Sequence, residues 1–145
     1  MKRNTEKHSK VMIIANSLVK QGTGRSAAMI KAWTFVKSAP FDMKVASVTH
    51  GKRQKALEHL ERYPARMITV TLRREGGNAY DKNAVTVAVS VEGKGSYVVG
   101  YAPRMLAAFL APLADVSKPV QAAYKTVTGG FDPLAHRGLL ISVAV

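Results

Sequence analysis

Residues 83–103 contain two runs rich in β-branched and aromatic residues, and a short glycine-containing segment separates them. The first run, NAVTVAVSV (83–91), places valine at every second position, which is the period of a β-strand. The second run, SYVVGYAP (96–103), follows the turn-forming residues EGKG (92–95). The spacing predicts an antiparallel hairpin, and the rest of the fold has to be built around it.

Other β-rich segments lie on both sides of this hairpin. We predict strands within KVASVTH (44–50) and ARMITVTLRRE (65–75). The tail consists of PVQAAYKTVTGG (119–130) and then GLLISVAV (138–145), which we predict to be a buried closing strand. Two segments with helical periodicity interrupt them, residues 51–63 and 103–115. About five strands with two inserted helices predict an α+β fold, a small partly open β-barrel.

The first 40 residues differ in pattern and predict a helical hairpin. Val11, Ile14, Ala15 and Leu18 share one helical face, and glycines in residues 21–24 interrupt the pattern. Ser26 is a suitable N-cap for a second helix that ends before Pro40. Its predicted apolar face consists of Met29, Ile30, Trp33 and Val36. We therefore divide the chain into a hairpin, residues 1–40, and a main domain, residues 41–145.

Charge narrows the class of ligand. Lys and Arg number 22 against 9 acids, a formal net charge of +13, and the hairpin alone holds eight basic residues against Glu6. A field of this sign concentrates polyanions, so nucleic acid is the first candidate ligand and an anionic membrane surface the second. We consider two roles for the hairpin. Its apolar face docks on the main domain, or its basic face lies along a nucleic-acid backbone, and the two roles are compatible.

Several functions are disfavoured by composition and spacing. The chain has no cysteine, its four histidines lack metal-ligand spacing, and no apolar run reaches the roughly 20 residues of a membrane span. No nucleophile motif or pair of carboxylates suggests acid–base chemistry. We predict a cytoplasmic, non-enzymatic protein without a metal or cofactor.

The segment REGGNAYDKNAVTV (74–87) places an acid and an aromatic in a glycine-rich turn between basic residues. In a structural interpretation, Asn78 and Asp81 bond local backbone N–H groups and Tyr80 covers the edge of the core. In a functional interpretation, Arg73, Arg74 and Lys82 meet phosphates while Tyr80 stacks on a base. Asp81 would repel an internal phosphodiester but accept a hydrogen bond from a free hydroxyl.

Three segments, KVASVTHGKRQKALEHL, LRREGGNAYDKNAVTVAV and VVGYAPRMLAAFLAPL, resemble in that order the HIRAN domain over about residues 44–145. The resemblance implies an OB-like fold and capture of the 3′-hydroxyl end of single-stranded DNA. It implies stacking by Tyr80, contact of Asp81 with the 3′-hydroxyl, approach of Tyr101 to the DNA, and a phosphate contact by Arg104. Phe131 matches the aromatic of a late loop.

The chain departs from the DNA-end-binding members at three positions. Thr49 and His50 stand where those members carry an arginine and an aromatic, and Ala79 replaces a proline. Histidine still stacks or donates to phosphate, but threonine lacks the bidentate grip of arginine. The predicted nucleic-acid-binding residues are Thr49, His50, Arg74, Asn78, Tyr80, Asp81, Lys82, Tyr101, Arg104 and Phe131.

We predict a single-stranded-DNA-binding module that prefers free 3′-hydroxyl ends and acts in DNA repair, replication or mobile-element processing. RNA remains open as a ligand, because charge and stacking do not distinguish it from DNA. A second hypothesis is a protein-interaction adaptor for a helicase, nuclease or phage replication partner. Exposure of Trp33 to solvent would favour that hypothesis.

Overall fold

The computed structural model describes residues 2–116, 120–130 and 136–145, with backbone alone for residues 2–4. These residues form four α-helices, one 3₁₀ turn at Ala65–Met67 and six β-strands. In chain order the elements are α1 Lys2–Lys20, α2 Arg25–Ser38, β1 Phe41–Lys44, α3 Arg53–Leu60, β2 Ile68–Arg74, β3 Val85–Val91, β4 Gly95–Tyr101, α4 Arg104–Asp115, β5 Gln121–Thr128 and β6 Gly138–Ala144. No helix in this described part is long and apolar enough to cross a membrane.

The six strands form one antiparallel sheet in the order β1-β6-β5-β2-β3-β4. The predicted hairpin is present: β3 pairs with β4, with Val91 opposite Gly95 across the turn. Directly after β1, the backbone of Ala46 exchanges hydrogen bonds of 2.8 and 2.9 Å with Tyr101, at the end of β4. Since this bridge joins the two edges of the sheet, the fold is a partly open OB-like barrel of α+β class, as predicted.

The first predicted strand is displaced. The strand spans Phe41–Lys44, so the prediction of a strand over residues 44–50 is wrong beyond its first residue. Ser47 has a φ of 60°, a left-handed conformation that ends extended structure. Side chains then hold the turn, because Arg53 donates to the Ser47 carbonyl at 2.6 Å and Gln54 to the Val48 carbonyl at 3.0 Å. Thr49 and His50 consequently lie in a turn before α3 rather than at a strand end.

The closing strand and the two inserted helices follow the prediction. Leu139, Ile141 and Val143 of β6 are fully buried, as an inward-facing row of alternate residues should be. Leu57 and Leu60 of α3 are buried. On α4, buried Leu110 and Leu113 lie beside the partly buried Leu106 and Phe109. These side chains belong to the central core and place the first turns of α3 and α4 at the same end of the barrel as the Ala46–Tyr101 bridge.

The N-terminal hairpin packs into this same core. The predicted stripe of α1 is confirmed, since Val11, Ile14, Ala15 and Leu18 are all buried. The predicted face of α2 is confirmed only in part. Val36 is buried, and Met29 and Trp33 pack partly buried against the core, but Ile30 is 68% exposed, and Ala28, Ala32 and Phe35 are buried in addition. Small alanines let α2 approach closely, and Phe35 stacks on Phe109 at a centroid distance of 4.8 Å. Ser26 is not the N-cap either, because α2 begins at Arg25 after Gly24 without a side-chain cap.

Candidate nucleic-acid interface

The loop joining β2 to β3, residues 75–84, is closed by a backbone bond and fixed by one arginine. The Glu75 N–H donates to the Ala84 carbonyl at 2.9 Å. The Arg74 guanidinium donates to the carbonyls of Ala84 and Lys82 and forms an ion pair with Asp115 at 3.1 Å. Arg74 therefore uses its N–H donors to hold the loop in position. This role differs from the phosphate contact that the sequence suggested.

Asn78 and Asp81 shape the inside of this loop. The Asn78 Oδ1 accepts hydrogen bonds from the N–H groups of Tyr80 and Asp81 at 2.8 and 2.9 Å. Its Nδ2 donates one hydrogen bond to Glu75, so both ends of the Asn78 amide are bonded within the loop. The Asp81 Oδ1 accepts the Asn83 N–H at 2.9 Å. The structural interpretation of these two residues as turn formers is thus correct.

Tyr80 does not cover the core. Its side chain is 90% exposed, more than any other large hydrophobic residue that the structure describes. An aromatic ring standing in water gains nothing from burial and is free to receive a planar ligand. The alternative in which Tyr80 covers the core edge is therefore wrong.

The loop forms one wall of a groove of about 520 Å³. Six of the ten predicted binding residues line this groove: His50, Asn78, Tyr80, Asp81, Tyr101 and Arg104. Thr49, Arg74 and Lys82 lie outside its lining, and Phe131 lies outside the described residues. The barrel thus brings together residues from three separate sequence segments, the turn before α3, the β2–β3 loop and the β4–α4 junction.

Tyr101 forms part of the groove wall and is held by contacts with two charged residues. Its hydroxyl donates to the Glu75 carboxylate at 2.9 and 3.1 Å, and the Arg53 guanidinium carbon lies 5.5 Å from its ring centroid. The hydrogen bond to Glu75 raises the pKa of Tyr101 above its ordinary value of 10.0, and burial adds to this effect while Arg53 opposes it. Tyr101 therefore remains a neutral donor at physiological pH, with its ring against the groove.

Two arginines give the groove its positive charge. Arg53 is the first residue of α3 and Arg104 the first residue of α4, and neither helix has a side-chain cap or an acid in its first turn. Free N–H groups and the helix dipole favour an anion at such ends. Arg104 is exposed and forms no ion pair with any residue in the described ranges. The cations and the helix ends together suit phosphate groups.

The sequence analysis missed one residue of the groove lining, Arg53, and one residue that anchors Tyr101, Glu75. Arg53 and Arg104 are each the first residue of a helix, where the helix dipole disfavours a cation, so this position favours a functional role for both arginines. Glu75 is different, because its partner Tyr101 lies 26 residues further along the chain. Only the pairing of β2, β3 and β4 brings these two side chains together, and no local pattern indicates it.

The groups in this groove are suited to binding a ligand. The described residues contain no group of three histidine, aspartate or glutamate side chains able to hold a metal ion. What the groove offers is an exposed aromatic ring, two guanidinium groups and the Asp81 carboxylate. A polynucleotide presents matching chemistry, since it carries bases, phosphates and terminal hydroxyls.

A partly open OB-like barrel with a cationic groove at one end defines a nucleic-acid-binding class of protein. The HIRAN domain family model matches residues 45–127, more than half of the chain, and the chain belongs to this family. HIRAN domains are DNA-binding domains and are not themselves catalytic.

Two solved structures are similar to this chain. A protein from Lactobacillus plantarum is 22% identical over 72% of this chain and 92% of its own, with a TM-score of 0.44. The HIRAN domain of human HLTF is 18% identical over 72% of this chain and 74% of its own, with a TM-score of 0.41. Among curated proteins, none matches the sequence.

Proposed function

We propose that this protein binds single-stranded DNA and prefers a free 3′-hydroxyl end, and that it acts in DNA repair, replication or mobile-element processing. One observation carries the proposal: the 90% exposed Tyr80 stands beside Asp81 in a groove that also holds Arg53 and Arg104. Stacking on Tyr80 would hold the terminal base, and the arginines would meet the phosphates behind it.

Asp81 gives the groove its preference for an end. Its Oδ1 accepts the Asn83 N–H, while Oδ2 accepts no hydrogen bond from the described residues. A carboxylate oxygen can accept a hydrogen bond from a hydroxyl but repels a phosphate. An internal nucleotide carries a phosphodiester on its 3′ side, whereas the last nucleotide carries a hydroxyl. A terminal nucleotide therefore fits beside Asp81 better than an internal one does.

The remaining predicted residues take graded roles in this proposal. His50, Tyr101 and Arg104 line the groove and are proposed to contact the terminal nucleotides directly. Asn78 and Arg74 hold the loop that presents Tyr80 and Asp81. Lys82 and Thr49 are exposed beside the groove and are proposed as outer contacts to the DNA backbone.

The test compares short single strands that end in a 3′-hydroxyl or a 3′-phosphate, with fluorescence anisotropy as the readout. We expect the wild type to bind the hydroxyl end about 10- to 150-fold more tightly, because a hydrogen bond to a charged group contributes about 1.5–3 kcal/mol. Asp81→Asn keeps an oxygen for the Asn83 N–H but removes the charge. This variant should bind the 3′-phosphate end better than wild type does and lose most of the preference.

Asp42→Asn provides a control of equal charge. Asp42 lies on β1 in an exposed ion pair with Lys125, outside the groove lining, so its replacement should leave the preference intact. If wild type binds the two ends with equal affinity, the end-capture hypothesis is rejected, while the proposal of DNA binding is retained. Matched titrations with RNA and duplex DNA decide whether the protein prefers DNA to RNA and whether it requires a single strand.

A second candidate function is that of a protein-interaction adaptor for a helicase, nuclease or phage replication partner. The observation that favours it is a shallow depression of about 460 Å³ on α2, where exposed Ile30 adjoins Met29 and the half-buried Trp33. An exposed apolar patch of this kind suits a protein partner. Ile30→Ser should then abolish binding to such a purified partner while leaving DNA affinity unchanged.

A further inference from the structure

The N-terminal hairpin touches the proposed DNA site through one pair of side chains. Gln21, in the turn after α1, and Asn83, in the β2–β3 loop, exchange two amide hydrogen bonds of 2.9 and 3.2 Å. The Gln21 side chain also donates to Ser17 at 3.1 Å, which holds it against α1. The family match begins at residue 45, so this contact connects a segment outside the matched region to the loop that presents Asp81.

The Gln21–Asn83 pair fixes the position of the turn between α1 and α2; it is not what attaches the hairpin to the main domain. The buried stripe of α1 already attaches the hairpin to the core, and one exposed amide pair adds little to that. Its consequence is geometric: Gln21 adjoins Lys20 and Asn83 adjoins Lys82. The two lysines therefore lie on neighbouring segments beside the β2–β3 loop, and Arg25 begins α2 on the other side of the same turn.

The cations of this turn are not neutralised by the protein. Lys20, Arg25 and Lys82 are exposed, and none of them forms an ion pair within the described part of the chain. The one acid of the hairpin, Glu6, lies 14 residues before Lys20 on the same helix, about 21 Å away. That distance exceeds the Debye length of about 10 Å at 0.1 M salt. Asp81 adjoins Lys82 and accepts the Asn83 N–H, but its single carboxylate leaves the three cations in excess.

We propose that this turn is part of the nucleic-acid interface, with Lys20 and Arg25 contacting the phosphates of a strand whose end lies in the groove. The inference rests on the proposed function and extends it beyond the family region. A polynucleotide backbone fits these observations better than a protein partner does, because the turn presents separated cations and glycines without an exposed apolar side chain.

The experiment measures the affinity of the full chain for single strands as a function of salt. With an oligonucleotide of about 12 nucleotides, the double variant Lys20→Gln/Arg25→Gln should bind about tenfold more weakly at low salt. The slope of log affinity against log salt should fall in magnitude by about 1.4, the value for two lost phosphate contacts on a single strand. A trinucleotide fills only the groove, so its affinity should change little.

Lys7→Gln/Lys37→Gln is the matched control. It removes the same charge from the opposite end of the hairpin, where His8 contacts Trp33. The proposal is overturned if the two double variants give the same affinity and slope, which would mean that only net charge acts, or if neither differs from wild type. The 3′-hydroxyl preference is measured in parallel. If wild type shows no such preference but the Lys20/Arg25 variant still binds more weakly, the end-capture hypothesis is rejected and the proposed interface at the turn is retained.

Discussion

Tyr80 and Tyr101 show how two tyrosines in one groove come to have different roles. The backbone N–H of Tyr80 is bonded to the Asn78 side chain, but its ring is not packed on the core and stands in water. Tyr101 ends a strand, and its hydroxyl is anchored by Glu75. The exposed ring is free to stack on a base, while the anchored one provides a fixed wall.

Replacement of Tyr80 by alanine should weaken binding of single-stranded DNA by about 5- to 150-fold, because base stacking on an aromatic contributes about 1–3 kcal/mol. The thermal midpoint should stay within about a degree of wild type, since almost no buried surface is lost. Tyr80→Phe keeps the ring and should bind nearly as wild type does. Anisotropy titrations and thermal unfolding measure the two effects, and a large drop in the midpoint would assign Tyr80 a structural role.

The bond between Tyr101 and Glu75 should make stability depend on alkaline pH. The pKa of Tyr101 is raised in the folded state, so its contribution is complete below the ordinary pKa of 10.0 and is lost as the pH rises through the raised value. At about pH 8, Tyr101→Phe should lower the free energy of unfolding by about 1 kcal/mol, the net value of one hydrogen bond. Urea unfolding near pH 8 and at a pH above the raised pKa should show that the difference in unfolding free energy between wild type and Tyr101→Phe becomes smaller. An unchanged difference would contradict this prediction.

At the scale of elements, the closure of the barrel depends on a glycine. A Cβ on Gly100 would collide with the carbonyl oxygen of Ala46 and approach Val45 Cγ1 to 2.7 Å. Gly100 therefore allows the segment after β1 to reach β4, and the same contact sets the floor of the groove between Ala46 and Tyr101.

Gly100→Ala should destabilise the fold by about 2 kcal/mol or more, because backbone atoms and a buried valine would both have to move. We also expect weaker DNA binding, since Tyr101 would shift with β4. Urea unfolding measures the first effect and anisotropy the second. Gly77→Ala is the control: a Cβ there meets nothing within 4 Å, and its stability should match wild type within about 0.5 kcal/mol.

Elements with a strong local pattern were predictable, and the exceptions have physical causes. The valines of β3, the alternation of β6 and the apolar stripe of α1 each specify both the element and its buried face. The first strand was misplaced because a left-handed Ser47 turned the chain out of a β-rich segment. Ile30 was wrongly assigned to the buried face of α2 because close packing favoured Ala28 and Ala32 over this larger side chain.

At the scale of the whole molecule, the hairpin and the HIRAN region share one hydrophobic core. Phe35 of α2 stacks on Phe109 of α4 and contacts Phe41 of β1 edge-on. The division of the chain at residue 40 remains a prediction, and the shared core indicates that the HIRAN region depends on the hairpin for stability.

Deletion of residues 1–40 should expose the faces of α4 and β1 that Phe35 covers. We expect the free energy of unfolding to fall by about 3 kcal/mol or more, since each large buried apolar side chain contributes about 1.5–3 kcal/mol. Urea unfolding followed by circular dichroism measures this. A truncated chain with the wild-type unfolding midpoint would establish residues 41–145 as an independent domain.

The sequence alone determined the strand and helix content, the basic character and the local loop chemistry of Asn78 and Asp81, because these depend on residues within a few positions of one another. It also supported the HIRAN resemblance, through motifs that are contiguous. The tertiary structure alone decided that Tyr80 is exposed, that Arg74 is engaged within the protein, and that Arg53, Glu75 and Tyr101 meet. Those features depend on strand pairing and helix docking across tens of residues, where contact geometry and not local pattern sets which side chains are neighbours.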